Sequence, residues 1–173
     1  TIEEKRYESN GLVFCDLPGY GTSNFPKEGY AERFNIANFD LFLCVTSGKF
    51  HQADTELFKE LKKMGKTCIF VVNTHDQLWE DSISIEELEK RKINDISKQA
   101  GEAVTVIFTS CRTNTGLDKL EKEILANLDL AKQERWARSA KAYSEDFLLK
   151  KRESSEKLVA LHAAMAAANA INP

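Results

Sequence analysis

Three nearly continuous apolar runs limit the possible folds more than any other feature of the sequence. They read LFLCVT at Leu41–Thr46, TCIFVV at Thr67–Val72 and VTVIFT at residues 104–109. Such runs are typical of strands that are covered on both faces. Apolar residues at helical spacing follow each run, within residues 53–64, 85–96 and 117–128, and the first two helices are predicted to end at Gly65 and near Gly101. Because strands alternate with helices of this length, the sequence predicts an α/β fold with a doubly wound, mostly parallel sheet.

A further pair of strands is predicted near the start of the chain. Residues 13–15 form a short apolar run after Asn10-Gly11, a dipeptide that favours a tight hairpin turn. Residues 3–7 are charged, as expected of an edge strand, and are the predicted partner.

The last part of the chain has a different composition. From residue 131 to residue 170 there is no strand pattern, and Ala, Lys, Arg and Glu dominate. Trp136, Ala140, Tyr143 and Phe147 recur at the spacing of one helix face. We therefore expect an α/β domain over residues 1–130 and a helical segment over residues 131–173.

Composition narrows the possible partners and cofactors. The net charge is -3, so the charge balance does not favour nucleic acid. The four cysteines have neither C-x-x-C spacing nor a histidine at ligand spacing, which argues against a zinc site and fits a reducing compartment. No apolar run reaches the roughly 18 residues expected of a membrane span.

Asp16-Leu17-Pro18-Gly19 directly follows the short apolar run at residues 13–15. Open α/β sheets bind ligands at the carboxyl ends of their strands, although a simple Pro-Gly turn is an alternative interpretation. The tetrapeptide resembles the D-x-x-G motif of GTPases. That resemblance implies that Asp16 acts on Mg²⁺, usually through water, and that the Gly19 amide reaches the γ-phosphate.

Asn73-Thr74-His75-Asp76 follows the second long apolar run. It is similar to the N-K-x-D motif of GTPases, with Thr74 in place of the lysine, and the alternative is an ordinary Asx-rich loop. A carboxylate at Asp76 would accept two hydrogen bonds from guanine, a charge-assisted bidentate pair that adenine cannot match. Asn73 is expected to tie neighbouring loops together, and His75 is expected to be a solvent-exposed spacer.

Ser110-Cys111-Arg112 follows the third long apolar run. It fits the loosely defined fifth GTPase motif, in which a backbone amide meets the guanine O6. The planar guanidinium of Arg112 is a candidate to lie over the base.

The order of these motifs, each after a predicted strand, favours a P-loop GTPase-type G domain, truncated at its N-terminus. The stretch from Gly11 to Asp76 resembles the immunity-related (interferon-inducible) GTPases more specifically. The residues that carry this resemblance are LVFCDLPG at 12–19, GTSNFP at 21–26, Tyr30, Phe39-Asp40 and residues 47–54. The basic, alanine-rich tail is similar to the start of that family's helical domain.

The resemblance implies binding of GTP and GDP with Mg²⁺, slow GTP hydrolysis and self-association through the G domain. It also implies a role in innate immunity in the cytoplasm, with peripheral attachment to intracellular membranes. The phosphate-binding loop G-x-x-x-x-G-K-[ST] does not occur in these 173 residues, and Tyr20 follows Gly19 where a water-positioning glutamine is usual. No catalytic residue can be assigned, and we expect the isolated chain to bind nucleotide poorly.

Two other functions remain open. The first is a pseudo-GTPase scaffold that keeps the fold without turnover, and it is favoured by Thr74, by Tyr20 and by the missing loop. The second is another GTPase branch, such as the septin-like, translation-linked or ribosome-assembly types. The G-T-S-N-F-P segment and the alanine-rich tail argue against these branches.

Overall fold

The structure, a computed structural model, describes residues 3–9, 12–47, 50–139 and 145–171, without the side chains of residues 131 and 166–171. The strands are β1 (Lys5–Ser9), β2 (Leu12–Asp16), β3 (Leu41–Thr46), β4 (Thr67–Val72) and β5 (Val106–Phe108). The α-helices are α1 (Tyr30–Arg33), α2 (Gln52–Lys63), α3 (Ile85–Ala100), α4 (Leu117–Ala126), α5 (Leu130–Ser139) and α6 (Glu145–Ile171). Short 3₁₀ helices cover Ile36–Asn38 and His75–Gln77.

Strands β3, β4 and β5 form a parallel sheet in that order. Thr46 at the end of β3 is level with Val72 at the end of β4, and Val72 is level with Phe108 at the end of β5. The loops that follow these strands therefore leave the same edge of the sheet. The parallel arrangement confirms the α/β prediction, while β1 and β2 pair with each other in a separate two-stranded sheet.

The predicted bounds are correct for β3 and β4 but too long for β5. The apolar run at residues 104–109 contributes only Val106–Phe108 as strand. The flanking residues still bond to β4, since the Phe70 amide donates to the Thr105 carbonyl (3.0 Å) and the Thr109 amide donates to the Val72 carbonyl (2.9 Å). The apolar run therefore extends beyond the strand at both ends, and Thr105 within it is exposed. The partner of β2 is Lys5–Ser9 rather than residues 3–7, and the predicted turn at Asn10-Gly11 lies outside the described residues.

The predicted helices end where local sequence signals stop them. Gly65 and Gly101, which follow α2 and α3, both adopt left-handed backbone conformations with φ of 70° and 83°. Glycine commonly ends helices in this way because it has no Cβ to clash. Helix α3 begins after Ser84, whose hydroxyl accepts a hydrogen bond from the Glu87 amide (3.3 Å). Helix α4 ends at Ala126, two residues earlier than expected.

Two apolar clusters support the loops that follow the strands. The first lies between the parallel sheet and helices α2 and α3, and its buried members are Phe58, Phe70, Val72, Ile96, Ala100 and Phe108. The second lies around α1, and its buried members are Phe25, Tyr30, Phe34, Ile36 and Leu61. Aromatic residues dominate the second cluster, and it packs against Leu17 of the D-L-P-G tetrapeptide.

The chain divides into two compact units. One comprises Thr1–Lys5 and Cys15–Asn127, and the other comprises Arg6–Phe14 and Leu128–Pro173. Within the second unit, Trp136 of α5 lies 5.6 Å from Phe14, measured between ring centroids. Trp136 and Phe147 belong to two separate helices rather than one, while Ala140 and Tyr143 lie outside the described residues. No helix in the described part of the chain is long and apolar enough to cross a lipid bilayer.

Candidate functional site

Asn73 joins the ends of the three parallel strands. Its backbone amide donates to the Thr46 carbonyl at the end of β3 (2.9 Å). Its side-chain oxygen accepts from the Thr109 hydroxyl (3.1 Å) and from the Cys111 amide (3.2 Å), both in the loop after β5. This geometry agrees with the loop-tying role expected of Asn73.

The 3₁₀ helix His75–Gln77 fixes the position of Asp76. The Thr74 hydroxyl donates to the Ser47 carbonyl after β3 (3.0 Å), and the His75 amide donates to the Thr109 carbonyl after β5 (3.1 Å). Thr74, which stands in place of the usual lysine, therefore anchors this loop. The loop that carries Asp76 is held from both neighbouring strands.

Asp76 forms an ion pair with Arg112 across the two loops. Arg112 Nε donates to Asp76 Oδ2 at 2.8 Å, and Arg112 Nη2 lies 2.5 Å from the same oxygen. The Asp76 side chain is only 13% exposed, whereas that of Arg112 is 74% exposed. The guanidinium of Arg112 thus meets the carboxylate edge, and the stacking of Arg112 on a base stays a prediction.

The surroundings of Asp76 favour its ionised form. A hydrogen bond with the Ser110 side chain, followed by the hydrogen bond and charge of Arg112, lowers the pKa of Asp76 below its ordinary value. An ionised carboxylate has two oxygens that only accept hydrogen bonds. Asp76 is therefore suited to a ligand edge that presents two donors.

The turn after β5 gives Ser110 and Cys111 different environments. Ser110 is buried, pairs through its backbone with Thr115, and accepts a hydrogen bond from the Thr113 amide at its hydroxyl (3.2 Å). Cys111 is exposed and carries a free thiol. Gly116 closes the turn with φ of 71°, and a Cβ added there would lie 2.0 Å from the Phe108 carbonyl oxygen.

The D-L-P-G tetrapeptide lies at the end of β2, where Asp16 and Gly19 are exposed and Pro18 is buried. The Tyr30 hydroxyl donates a 2.6 Å hydrogen bond to the Pro18 carbonyl. The Thr22 hydroxyl donates to the Gly19 carbonyl at 3.1 Å. A Cβ added to Gly19 would make only an ordinary 3.5 Å contact with Thr22, so this conformation does not itself require glycine.

The expectation that His75 is a solvent-exposed spacer is wrong. Its side chain is 19% exposed, its Nε2 lies 2.8 Å from Glu89 Oε1 of α3, and its ring centroid lies 6.0 Å from that of Phe108. The turn before Asp76 folds the imidazole back toward the sheet and α3. His75 therefore helps to fix the loop.

The carboxylate of Asp16 is compatible with binding of Mg²⁺. Among the described residues there is no group of three or more His, Cys, Asp or Glu side chains that could hold a metal ion. Mg²⁺ commonly binds through one or two carboxylates and completes its shell with water and substrate phosphates. A single exposed carboxylate at Asp16 fits that pattern when a phosphate is present.

The structure thus brings together five of the seven predicted site residues. Hydrogen bonds connect the loops after β4 and β5, which carry Asn73, Asp76, Ser110, Cys111 and Arg112. Asp16 is the last residue of β2, a strand of the other sheet, and Gly19 lies in the loop that follows it. Sequence reasoning gave no role to Thr109 or to the hydroxyls of Tyr30 and Thr22. In the sequence, the only signals for these roles were that Thr109 is a polar residue at the end of an apolar run and that Tyr30 comes soon after the D-L-P-G tetrapeptide.

Comparison with known proteins identifies the family. The family model described as interferon-inducible GTPase (IIGP) matches residues 1–173. The chain is 26% identical to interferon-gamma-inducible GTPase 10 of Mus musculus, over 100% of the chain and 45% of that relative. It is also 26% identical to the mouse T-cell-specific guanine nucleotide triphosphate-binding protein 2, over 94% of the chain and 42% of the relative.

A third mouse relative, interferon-inducible GTPase 1, is 32% identical over 41% of the chain and 18% of its own length. The chain therefore spans less than half the length of these relatives. Because the family model matches the whole chain, this protein belongs to the interferon-inducible GTPase family.

Proposed function

We propose that this chain supplies the base-reading and γ-phosphate-contacting loops of a regulatory GTPase that binds GTP and GDP with Mg²⁺. Asp76 accepts two hydrogen bonds from the guanine ring, and the backbone near Ser110, Cys111 and Arg112 meets its O6. Asn73 holds these two loops at the spacing that one base requires. Asp16 acts on Mg²⁺ through water, and the Gly19 amide contacts the γ-phosphate.

The observation that carries this proposal is the hydrogen-bonded junction around Asp76. Its carboxylate is little exposed, kept ionised by Ser110 and Arg112, and lies on a loop that is fixed from both sides. A fixed, ionised carboxylate loses little freedom when it binds two donors, so it discriminates between bases efficiently. An ordinary solvent-facing loop would need none of these contacts.

Strand β4 is buried on both faces of the parallel sheet. Successive β4 residues point to opposite faces of the sheet, and Ile69, Phe70, Val71 and Val72 are all at most 3% exposed. Burial of β4 on both faces supports a doubly wound sheet, whereas the run Leu41–Thr46 is not covered on both faces as predicted, because Leu43 and Val45 are 40% and 64% exposed. We propose that residues 1–130 are part of a G domain and that residues 131–173 begin a helical domain.

We further propose that the whole protein hydrolyses GTP slowly and self-associates through the G domain. Sedimentation with GTP and with GDP tests this, because the proposal requires larger species with GTP. The second candidate is a scaffold without turnover. It is favoured by Tyr20, which follows Gly19 and whose hydroxyl donates to Glu60 Oε2 (3.0 Å). GTP binding without phosphate release would select the scaffold.

We also propose that the protein is cytoplasmic and peripheral on intracellular membranes. Leu148 and Leu149 are each 58% exposed on α6, directly before the basic residues Lys150, Lys151 and Arg152. Exposed apolar residues beside cations suit an anionic lipid surface. Flotation with anionic and with neutral vesicles tests this, since recovery that is equal on both, or absent from both, would contradict it.

The test of base reading is the substitution Asp76→Asn, made in the encoded protein together with any residues that precede Thr1. An asparagine amide presents a donor where the carboxylate has an acceptor, which suits the 2-oxo group of xanthine. We expect GTP affinity to fall about 10- to 100-fold, the range for a lost charged hydrogen bond, and XTP affinity to rise. Fluorescent-nucleotide titration measures both affinities.

The matched control is Asp81→Asn, which removes an exposed carboxylate five residues further along the same connection. It should leave both affinities unchanged. An Asp76→Asn protein that still prefers GTP over XTP as strongly as the wild type would show that Asp76 does not read the base.

A further inference from the structure

Planarity of the peptide bond links the Tyr30 hydroxyl to the Gly19 amide. The carbonyl of Pro18 and the N–H of Gly19 belong to one peptide unit, and no cis peptide bond occurs among the described residues. In a trans peptide these two groups point in opposite directions. Because Tyr30 bonds the Pro18 carbonyl at 2.6 Å, it also sets the direction of the Gly19 N–H.

The Tyr30 side chain is held firmly enough to set the direction of the Gly19 N–H. It is 2% exposed, and its ring centroid lies 5.1 Å from that of Tyr20 and 4.7 Å from that of Phe34. Burial, followed by the charge of Glu4, raises the pKa of Tyr30 to about 12. The hydroxyl therefore keeps its proton, and remains a donor, throughout the neutral range.

A second contact holds the peptide on the other side of Gly19. The Thr22 hydroxyl donates to the Gly19 carbonyl (3.1 Å) and accepts from the Phe25 amide (3.2 Å). Both peptides that flank Gly19 are thus bonded through their carbonyls to side chains, one from α1 and one from the loop that precedes it. Rotation of the Pro18–Gly19 peptide would break the buried Tyr30 bond and leave that carbonyl without this donor, which is unfavourable.

We propose that Tyr30 is a positioning residue that aims the Gly19 amide at the γ-phosphate and so favours GTP over GDP. This inference rests on the proposed function, because it needs a nucleotide at Gly19. Tyr30 touches no nucleotide itself and acts only through the Pro18–Gly19 peptide. GDP lacks the phosphate that Gly19 contacts, so its affinity does not depend on this peptide.

The test compares Tyr30→Phe with Tyr20→Phe in the encoded protein, including any residues that precede Thr1. Each substitution removes one hydroxyl from a ring of the same aromatic cluster, but the Tyr20 hydroxyl bonds Glu60 rather than the loop backbone. We expect Tyr30→Phe to lower GTP affinity about 3- to 10-fold, the usual effect of one hydrogen bond, with GDP affinity changed less than about 2-fold. Tyr20→Phe should leave the ratio of the two affinities unchanged.

A second readout needs no nucleotide. Relaxation dispersion of the Gly19 backbone ¹⁵N should reveal exchange between two peptide orientations in Tyr30→Phe, and none in the wild type or in Tyr20→Phe. Circular dichroism and thermal melting identify any variant that has lost its fold. Should Tyr30→Phe unfold, 4-fluorophenylalanine at position 30 supplies a second variant, because its fluorine takes the place of the hydroxyl but cannot donate a hydrogen bond.

The two possible failures are distinguishable. If the wild type binds no GTP, the proposed function fails, and the relaxation readout still shows whether Tyr30 fixes the peptide. If the wild type binds GTP and Tyr30→Phe keeps the wild-type ratio of GTP to GDP affinity, the positioning role is overturned while the proposed function stands. An equal loss of GTP and GDP affinity in Tyr30→Phe also overturns it, because that result indicates a general structural role.

Discussion

Among single residues, the ionisation of Asp76 is the property on which the proposed base reading depends. Hydrogen bonds from Ser110 and Arg112 favour the carboxylate, so the pKa of Asp76 is lower in the folded chain than the ordinary 3.8. A lowered pKa adds stability above the unfolded value, and this stability is lost as the pH falls through the folded value. Folding and the proposed base reading therefore both favour the ionised form of Asp76 at neutral pH.

Removal of either Ser110 or Arg112 as a partner should raise the pKa of Asp76. Ser110 lowers this pKa more than Arg112 does. We predict a larger rise for Ser110→Ala than for Arg112→Met, measured by ¹³C NMR titration of the side-chain carboxyl. Added salt should raise the pKa in the wild type and have less effect in Arg112→Met, because salt screens exposed ion pairs.

The matched control for this titration is Arg91→Met, which removes an exposed arginine that pairs with Glu87 on α3. It should leave the titration of Asp76 unchanged. An Asp76 that titrates identically in Ser110→Ala, Arg112→Met and the wild type would contradict the described geometry.

The sequence predicted the positions of these residues but not their partners. The spacing of Asp76 and Arg112 after two apolar runs was sufficient to place both at one edge of a parallel sheet. Their ion pair could not be predicted, because it depends on two loops 36 residues apart in the chain. The same holds for the bond from Tyr30 to the Pro18 carbonyl, since α1 is only four residues long and has no helical repeat to reveal it.

At the scale of elements, the connection from β5 to α4 fixes the loop that carries Ser110, Cys111 and Arg112. Gly116 precedes α4, has φ of 71°, and approaches the Phe108 carbonyl at the end of β5. The close approach brings Gly116, the residue before α4, against Phe108, the last residue of β5. A side chain at position 116 would separate these two elements and shift the loop between them.

We predict that Gly116→Ala lowers the free energy of unfolding by about 3 kcal/mol or more, since backbone overlap adds to left-handed strain. Gly101→Ala is the matched control, because Gly101 has a similar φ of 83° with no atom within 4 Å of an added Cβ. It should cost only about 1–2 kcal/mol. Urea unfolding measures both, and equal losses would show that the approach to Phe108 is not tight.

The sequence predicted the extent of an element correctly where the apolar periodicity agreed with residues that begin or end a helix. Helix α3 has both a serine at its start and a glycine after its end, and its predicted extent matches the structure. Residues 104–109 had apolarity alone, so the predicted strand was too long. The helix α1 was missed because its apolar residues pack as an aromatic cluster rather than as a helical stripe.

At the scale of the whole molecule, the family assignment and the fold both support the proposed GTPase function. The family model spans the whole chain, while the relatives are more than twice as long as the part matched here. In the proposed function Asp76 and its neighbours bind guanine and Gly19 contacts the γ-phosphate, while the 173-residue sequence contains no G-x-x-x-x-G-K-[ST] loop. Phosphate-binding loops of that type contribute much of the nucleotide affinity in P-loop proteins.

Isothermal titration calorimetry with GTP and with ATP, both in the presence of Mg²⁺, tests the central claim most directly. It should be done on the encoded protein with any residues that precede Thr1, and on the 173-residue chain for comparison. We predict selective GTP binding by the encoded protein and much weaker binding by the chain alone. Equal affinity of the encoded protein for GTP and ATP, or binding of neither, would contradict the assignment of Asp76 and its neighbours as a guanine site.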